Sequence, residues 1–183
     1  MLVEVGRIAS PAHMNETEHK RIFDDWISTH RGLLFKVLRA YAFNAHDQED
    51  LFQEIGFQLW NSIPKFKGDS AVSTWVYRVA LFSGIEWSRK EKRHAEKREN
   101  LDVVEHMGGI VPNDEDPRIA WLYQQIAKLE PVDRSLMLLL LEGLSYKEMA
   151  QTLGITTSNV GVKLNRIKKA LARQSKETSD HEI

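Results

Sequence analysis

Along most of the chain the apolar residues fall three and four positions apart, and nowhere do they alternate between turn signals as strands would require. Phe23, Trp26 and Ile27 share one helical face, and Leu33, Leu34, Val37, Leu38 and Tyr41 share another. Leu51, Ile55 and Leu59 continue at four-residue intervals, and Trp75, Val79, Phe82 and Glu86 follow similar spacing on a later helix. Trp26, Trp60, Trp75 and Trp87 all lie in this half, which gives it enough large apolar surface for a core of its own. Residues 99–117 change character: Gly108, Gly109, Pro112 and Pro117 accompany Asp114, Glu115 and Asp116, and the stretch reads as an acidic linker. The pattern predicts an all-α chain of two small helical domains joined by a flexible linker. The expected divisions are a poorly ordered arm over 1–17, a first domain over 18–98, the linker over 99–117, a second domain over 118–174, and a tail over 175–183.

The strongest local signal lies in the second domain. Ser145, Tyr146, Lys147 and Glu148 form a capping-box sequence, in which the serine hydroxyl accepts from the Glu148 amide while the glutamate reaches back. A short helix with Met149, Ala150 and Leu153 turned inward then meets Gly154, the residue that best tolerates a left-handed backbone. Ile155 plugs the corner, Thr156 suits the N-cap of a second helix from about Thr157, and Ala150 lets the two helices approach closely. On that second helix Val160, Leu164, Ile167 and Leu171 form the buried stripe, leaving Ser158, Asn159, Val162, Asn165, Arg166 and Lys169 outside. This is a helix-turn-helix, and its last helix carries Lys163, Arg166, Lys168, Lys169, Arg173 and Lys176 with no acid among them. The N-terminal part of such a helix suits the major groove of DNA and the later cations suit phosphates. Arg166 fits a guanine and Asn159 an adenine. The competing reading is an ordinary helical hairpin with a solvated basic face.

Composition narrows the picture by exclusion. Lys and Arg total 25 against 26 Asp and Glu, so only the sign asymmetry along the chain speaks for a nucleic-acid partner. Without cysteine there is no disulfide framework and no thiolate metal site. No secretory signal is evident, and the longest apolar run, 136–141, is far too short to span a bilayer, so the protein is expected to be soluble and cytoplasmic. The seven histidines are scattered without metal-ligand spacing, and no Gly-rich phosphate loop is present. Neither an enzyme nor a protein with a metal, cofactor or small-molecule substrate is expected.

Upstream residues decide which kind of DNA-binding protein this resembles. Asp47, Gln48, Glu49, Asp50, Leu51, Phe52, Gln53 and Glu54, followed by Phe57 and Trp60, resemble the second conserved region of bacterial sigma factors. The run from Phe66 through Lys67, Gly68, Asp69, Ser70, Ala71, Val72, Ser73, Thr74, Trp75, Val76, Tyr77, Arg78 and Val79 to Ala80 is still closer to the promoter-melting segment of the extracytoplasmic-function (ECF) group. The order of parts is similar too, and the resemblance covers about residues 20–174.

The resemblance implies a non-catalytic specificity subunit that binds core RNA polymerase, recognises minus-ten and minus-thirty-five promoter elements, and promotes duplex opening. Asp50, Gln53, Glu54 and Phe57 would meet the clamp of the polymerase. The loop of Phe66, Lys67, Gly68, Asp69, Ser70 and Ala71, before a helix starting near Ser73, would cradle a base flipped from the non-template strand, a task that needs stacking surfaces and a positive track. Trp75 has two open readings, core packing or strand contact, and Tyr77 is a candidate core aromatic. Arg78, Phe82, Glu86, Arg89 and Lys90 would lie along the minus-ten DNA, with Phe82 and Glu86 departing from the asparagine and aspartate common there. Ser158, Asn159, Val162, Lys163, Asn165, Arg166 and Lys169 would serve the minus-thirty-five element. The resemblance further implies an anti-sigma partner. The alternative is a stand-alone helix-turn-helix regulator, whose operator binding would need no polymerase.

Overall fold

Asn15 opens the first helix by accepting the Glu18 amide on its side chain at 2.8 Å, and a computed structural model describes the chain from there, over residues 15–98 and 116–179, with side chains over 15–94 and 116–174. Helix α1 (Glu16–Thr29) ends at His30, which also begins α2 (Arg31–Tyr41). Asn44 caps α3 (Ala45–Ser62) in the same way as Asn15, taking the Asp47 amide at 2.8 Å. His46 accordingly sits at the start of that helix. A 3-10 turn over Ile63–Lys65, set by Pro64, breaks the chain before α4 (Val72–Arg98).

In the second half Asp116 accepts the Arg118 amide and starts α5 (Pro117–Ala127), with Pro117 at the first helical position, where its missing N–H costs nothing. Helix α6 (Pro131–Leu141) stops at Gly143, whose φ of +78° lets the Leu144 amide reach the Leu139 carbonyl and its own amide reach Leu140. Helices α7 (Tyr146–Leu153) and α8 (Thr157–Ser179) complete the chain. Among the described residues there is no strand, as the periodicity predicts.

Three boundaries differ from the sequence expectation. Asn15, Glu16 and Thr17, assigned to the arm, form the cap and first turn of α1, while the rest of the arm lies outside the described residues. Asp116 caps α5 and Pro117 is its first residue, and the remainder of the expected linker, 99–115, also lies outside the described residues. Helix α8 runs to Ser179, into the expected tail.

The first core lies where α3 and α2 pack on α4: Leu51, Ile55 and Leu59 are fully buried with Leu34, Val37, Val76, Ala80 and Leu81. In the second, Ile126, Leu136, Leu139, Met149, Val160 and Leu164 are buried to the same degree. The two halves are not separate bodies, because α2 and α4 pack on α5, α6 and α7.

Candidate nucleic-acid interface

The helix-turn-helix is built as its sequence dictates. Both halves of the capping box form, with Glu148 accepting the Ser145 amide at 2.8 Å and the Ser145 hydroxyl accepting the Glu148 amide at 3.3 Å. The Ser145 hydroxyl, which also meets the Glu148 carboxylate at 2.6 Å, and then the Ser145 amide hold that carboxyl below its ordinary pKa. Gly154 adopts φ +68° and Ile155 donates to the Ala150 carbonyl, which closes the turn. Thr156 caps α8 by accepting the Asn159 amide at 3.2 Å. Val160, Leu164 and Ile167 are buried and Leu171 is half-buried, so the outward row of Ser158, Asn159, Val162, Asn165, Arg166 and Lys169 is exposed as a set. Val162 is 67% exposed, a bare aliphatic side chain in the middle of a polar face. Such a group suits the methyl of thymine.

Sequence reasoning missed what lies behind this row. Asp133 on α6 is 3% exposed and receives Lys163 Nζ at 2.6 Å on one oxygen and Arg166 Nη2 at 2.7 Å on the other. Lys163 is drawn inward, leaving 27% of its side chain exposed, whereas Arg166 keeps 68%. A guanidinium has five N–H donors, so the bond to Asp133 leaves Arg166 a pair for a base edge. No local signal ties Asp133 to residues 30 and 33 positions away.

The loop before α4 is exposed from Lys67 to Ala71. Gly68 takes φ +77°, and nothing lies within 4 Å of where its side chain would be, so the glycine is needed for the turn and leaves room above it. Phe66 corrects an expectation. Counted among the DNA-contacting positions, it is 8% exposed, edge-on to Trp26 at 5.5 Å and tilted against Trp75 at 5.5 Å. The 3-10 turn causes this, since the Phe66 amide bonds back to Ile63 and the ring is folded between α1 and α4. Its ring anchors the loop and offers no stacking face.

Trp75 is half-buried at the edge of the core. Its indole N–H donates to the Ser62 hydroxyl at 3.0 Å, yet the residue also lines a groove of about 480 Å³ between α3 and α4. Arg78, Phe82 and Glu86 line the same groove, with the Arg78 guanidinium 5.8 Å from the Phe82 ring centre. Glu86 pairs with Arg89, and Lys90 is exposed beyond them. Tyr77 is 4% exposed and belongs to the core.

On α3, Gln53 and Phe57 are exposed and Asp50 and Glu54 half-buried, spaced to share one face, with Phe57 62% exposed. An aromatic ring left this bare beside carboxylates suits a partner protein. The described residues hold no cluster of His, Asp and Glu fit for a metal, and no helix is long and apolar enough to cross a membrane.

Comparison with known proteins agrees with this geometry. Residues 26–94 match the family described as Sigma-70 region 2, and residues 119–171 match Sigma-70, region 4. RNA polymerase sigma factor YlaC of Bacillus subtilis is 23% identical, with 90% of this chain and 98% of that protein covered. The ECF RNA polymerase sigma-E factor of Haemophilus influenzae is 24% identical, with 83% and 86% covered. Among solved structures, the sigma factor RpoE in complex with the anti-sigma factor NepR from Bartonella quintana is similar with a TM-score of 0.67 and 15% identity, over 86% of this chain and 98% of that one. CnrH in complex with the cytosolic domain of CnrY gives a TM-score of 0.60 and 19% identity, over 86% and 90%. With a region 2 in α1–α4 and a region 4 in α5–α8, the chain belongs to the sigma-70 family of RNA polymerase sigma factors, in the two-region form of the ECF group.

Proposed function

We propose that the chain serves as an alternative sigma factor through three surfaces: α3 on core RNA polymerase, the 67–71 loop with α4 on minus-ten DNA, and α8 on the minus-thirty-five element. The observation that carries this reading is the pairing, in one chain, of a capped helix with an exposed readout row and an open glycine turn at the head of a basic helix. The first suits duplex DNA in the major groove and the second a displaced strand.

The roles follow from exposure and chemistry. Asp50, Gln53, Glu54 and Phe57 dock on the polymerase clamp, with Phe57 as the apolar anchor. Lys67, Gly68, Ser70 and Ala71 receive a flipped base, whose backbone then runs past Arg78, Arg89 and Lys90, while Trp75 and Phe82 supply aromatic surface. Ser158, Asn159, Val162, Asn165 and Arg166 read base edges, and Lys169 and Arg173 hold phosphates. Lys163 acts through Asp133, by fixing α8 on α6. Opening the duplex draws on binding free energy, so the chain is a specificity subunit working in the cytoplasm and performs no chemistry itself. An anti-sigma protein covering these surfaces is the proposed restraint, a reading supported by the similar sigma factor RpoE, whose structure is of a complex with the anti-sigma factor NepR.

The test is transcription by purified chain plus core polymerase from genomic fragments, with the start sites mapped. Initiation at sites sharing two spaced elements is the expected result. Failure to associate with core polymerase, with protection of duplex DNA by the chain alone, would instead support a stand-alone regulator.

A further inference from the structure

The groove between α3 and α4 has a fixed rear wall. Ser62 is 8% exposed, and its hydroxyl donates to the Leu59 carbonyl at 2.8 Å while accepting the Trp75 indole N–H at 3.0 Å. Phe66 tilts against the same indole at 5.5 Å, so the ring is held by both. The only polar atom of Trp75 is thereby engaged, and what it offers the groove is aromatic carbon. Phe82 follows seven residues later on the same helical face and is exposed.

Polar groups complete the lining, and one of them is unengaged. Gln58 donates to Glu54 at 2.9 Å and Glu86 pairs with Arg89, so both carboxylates of the groove have partners. The Asn61 side chain is exposed and makes no hydrogen bond among the described residues. Lys65 and Arg78 also line the groove and enter no ion pair among them. Aromatic carbon, an open amide and two open cations are what a nucleotide requires for its ring, its base edge and its phosphate. The volume of about 480 Å³ falls within the roughly 300–1,000 Å³ of small-molecule sites. Lys65 stands two residues before the 67–71 loop, so the groove continues the surface assigned to the displaced strand.

We propose that this groove is a second base site, separate from the 67–71 loop, which takes an adenine of the displaced strand. Asn61 determines the base, and Ser62 is a positioning residue that holds Trp75 as the stacking wall. An amide presents a donor beside an acceptor, the complement of the N7 and N6 pair of adenine. The double ring of a purine also covers more of the aromatic wall than a pyrimidine. The proposal rests on the reading of α4 as the minus-ten surface.

The test offers holoenzyme a library of forked fragments, randomised in the upstream duplex and in the unpaired non-template segment, and sequences what is bound. The unaltered chain should enrich particular bases in the unpaired segment, with adenine at one position. Asn61→Ala should reduce that one preference about tenfold. The other positions, the affinity for core polymerase and the melting temperature should stay as they were. Ser62→Ala should weaken the same preference, and Ser62→Thr should retain it. In a Trp75→Phe background, which lacks the indole N–H, Ser62→Ala should not change that preference further. No enrichment by the unaltered chain overturns the minus-ten reading and this site with it. Enrichment that Asn61→Ala leaves unchanged overturns this site alone, and a loss of core affinity in its place assigns the amide to the docking face. A different base preferred at the Asn61-dependent position overturns the adenine assignment. Equal losses from Ser62→Ala in both backgrounds overturn the positioning role.

Discussion

Arg166 reaches back from the readout helix to Asp133, placing its Nη2 2.7 Å from a carboxylate that is almost wholly buried. The carboxylate fixes the plane of the guanidinium before DNA arrives. An arginine oriented in this way loses less freedom when it meets the two acceptors of guanine. Arg166→Ala is therefore expected to relax base discrimination by about 1–3 kcal/mol. Asp133→Asn should relax discrimination at the same base position and also lower the melting temperature, because it weakens bonds to two cations worth about 1.5–3 kcal/mol each. Lys169→Ala and Arg173→Ala should weaken all sequences alike and flatten the salt dependence. Competition binding of holoenzyme across a randomised promoter library separates the classes, and sequence-blind losses from Arg166→Ala would refute the readout face.

The turn of the helix-turn-helix makes a second, backbone-level expectation. Gly154 sits at φ +68°, where an L side chain is strained by about 1–2 kcal/mol. Nothing lies within 4 Å of its missing side chain, so Gly154→Ala should cost that strain alone, without a steric clash. Ser145→Ala should cost about 1 kcal/mol through loss of the cap. Thermal melting of the full chain measures both, and a neutral Gly154→Ala would show that the turn relaxes out of the left-handed region.

The same cap predicts a pH response. The folded Glu148 carboxyl lies below its ordinary value of 4.5 because of its hydrogen bonds to the Ser145 side chain and amide. A depressed carboxylate contributes stability that is present above the unfolded pKa and is lost as pH falls through the folded one. The melting-temperature difference between the wild-type chain and Glu148→Gln should therefore be constant at neutral pH and shrink below about pH 4.5. A difference that grows in acid would reverse the assignment.

Phe57 tests the polymerase surface with little risk to the fold. At 62% exposure its ring contributes little to the core, so Phe57→Ala should leave the melting temperature near that of the wild type. An exposed aromatic that anchors an interface costs about tenfold or more in affinity when truncated. Titration of labelled core polymerase reads that loss directly. Unchanged affinity would move the docking face away from α3.

What the sequence made legible was local. The capping box, Gly154, Thr156 and the stripe of Val160, Leu164 and Ile167 each depend on neighbours within four residues, and each appears as the spacing predicts. The inward placement of Phe66 is not legible locally, because it depends on Trp26, forty residues earlier, and on a proline turn that folds the ring inward. Asp133 and Tyr41 were invisible for the same reason, since their partners lie on helices that only the packed chain brings together. The composition of residues 99–117 suggests a tether alone, whereas α2 and α4 pack against region 4 directly.

Beside that boundary the Tyr77 hydroxyl is buried and has no hydrogen-bond partner among the described residues. Burial pushes its pKa upward, and nearby Glu142, Tyr123 and Tyr41 push in the same direction, so the phenol stays neutral. An unsatisfied buried donor costs about 1–3 kcal/mol. Tyr77→Phe removes the hydroxyl and keeps the ring, so the folded chain should gain about 1 kcal/mol or more. Thermal melting of the full chain should show the gain as a higher melting temperature. A lower melting temperature would show that the hydroxyl is satisfied by ordered water.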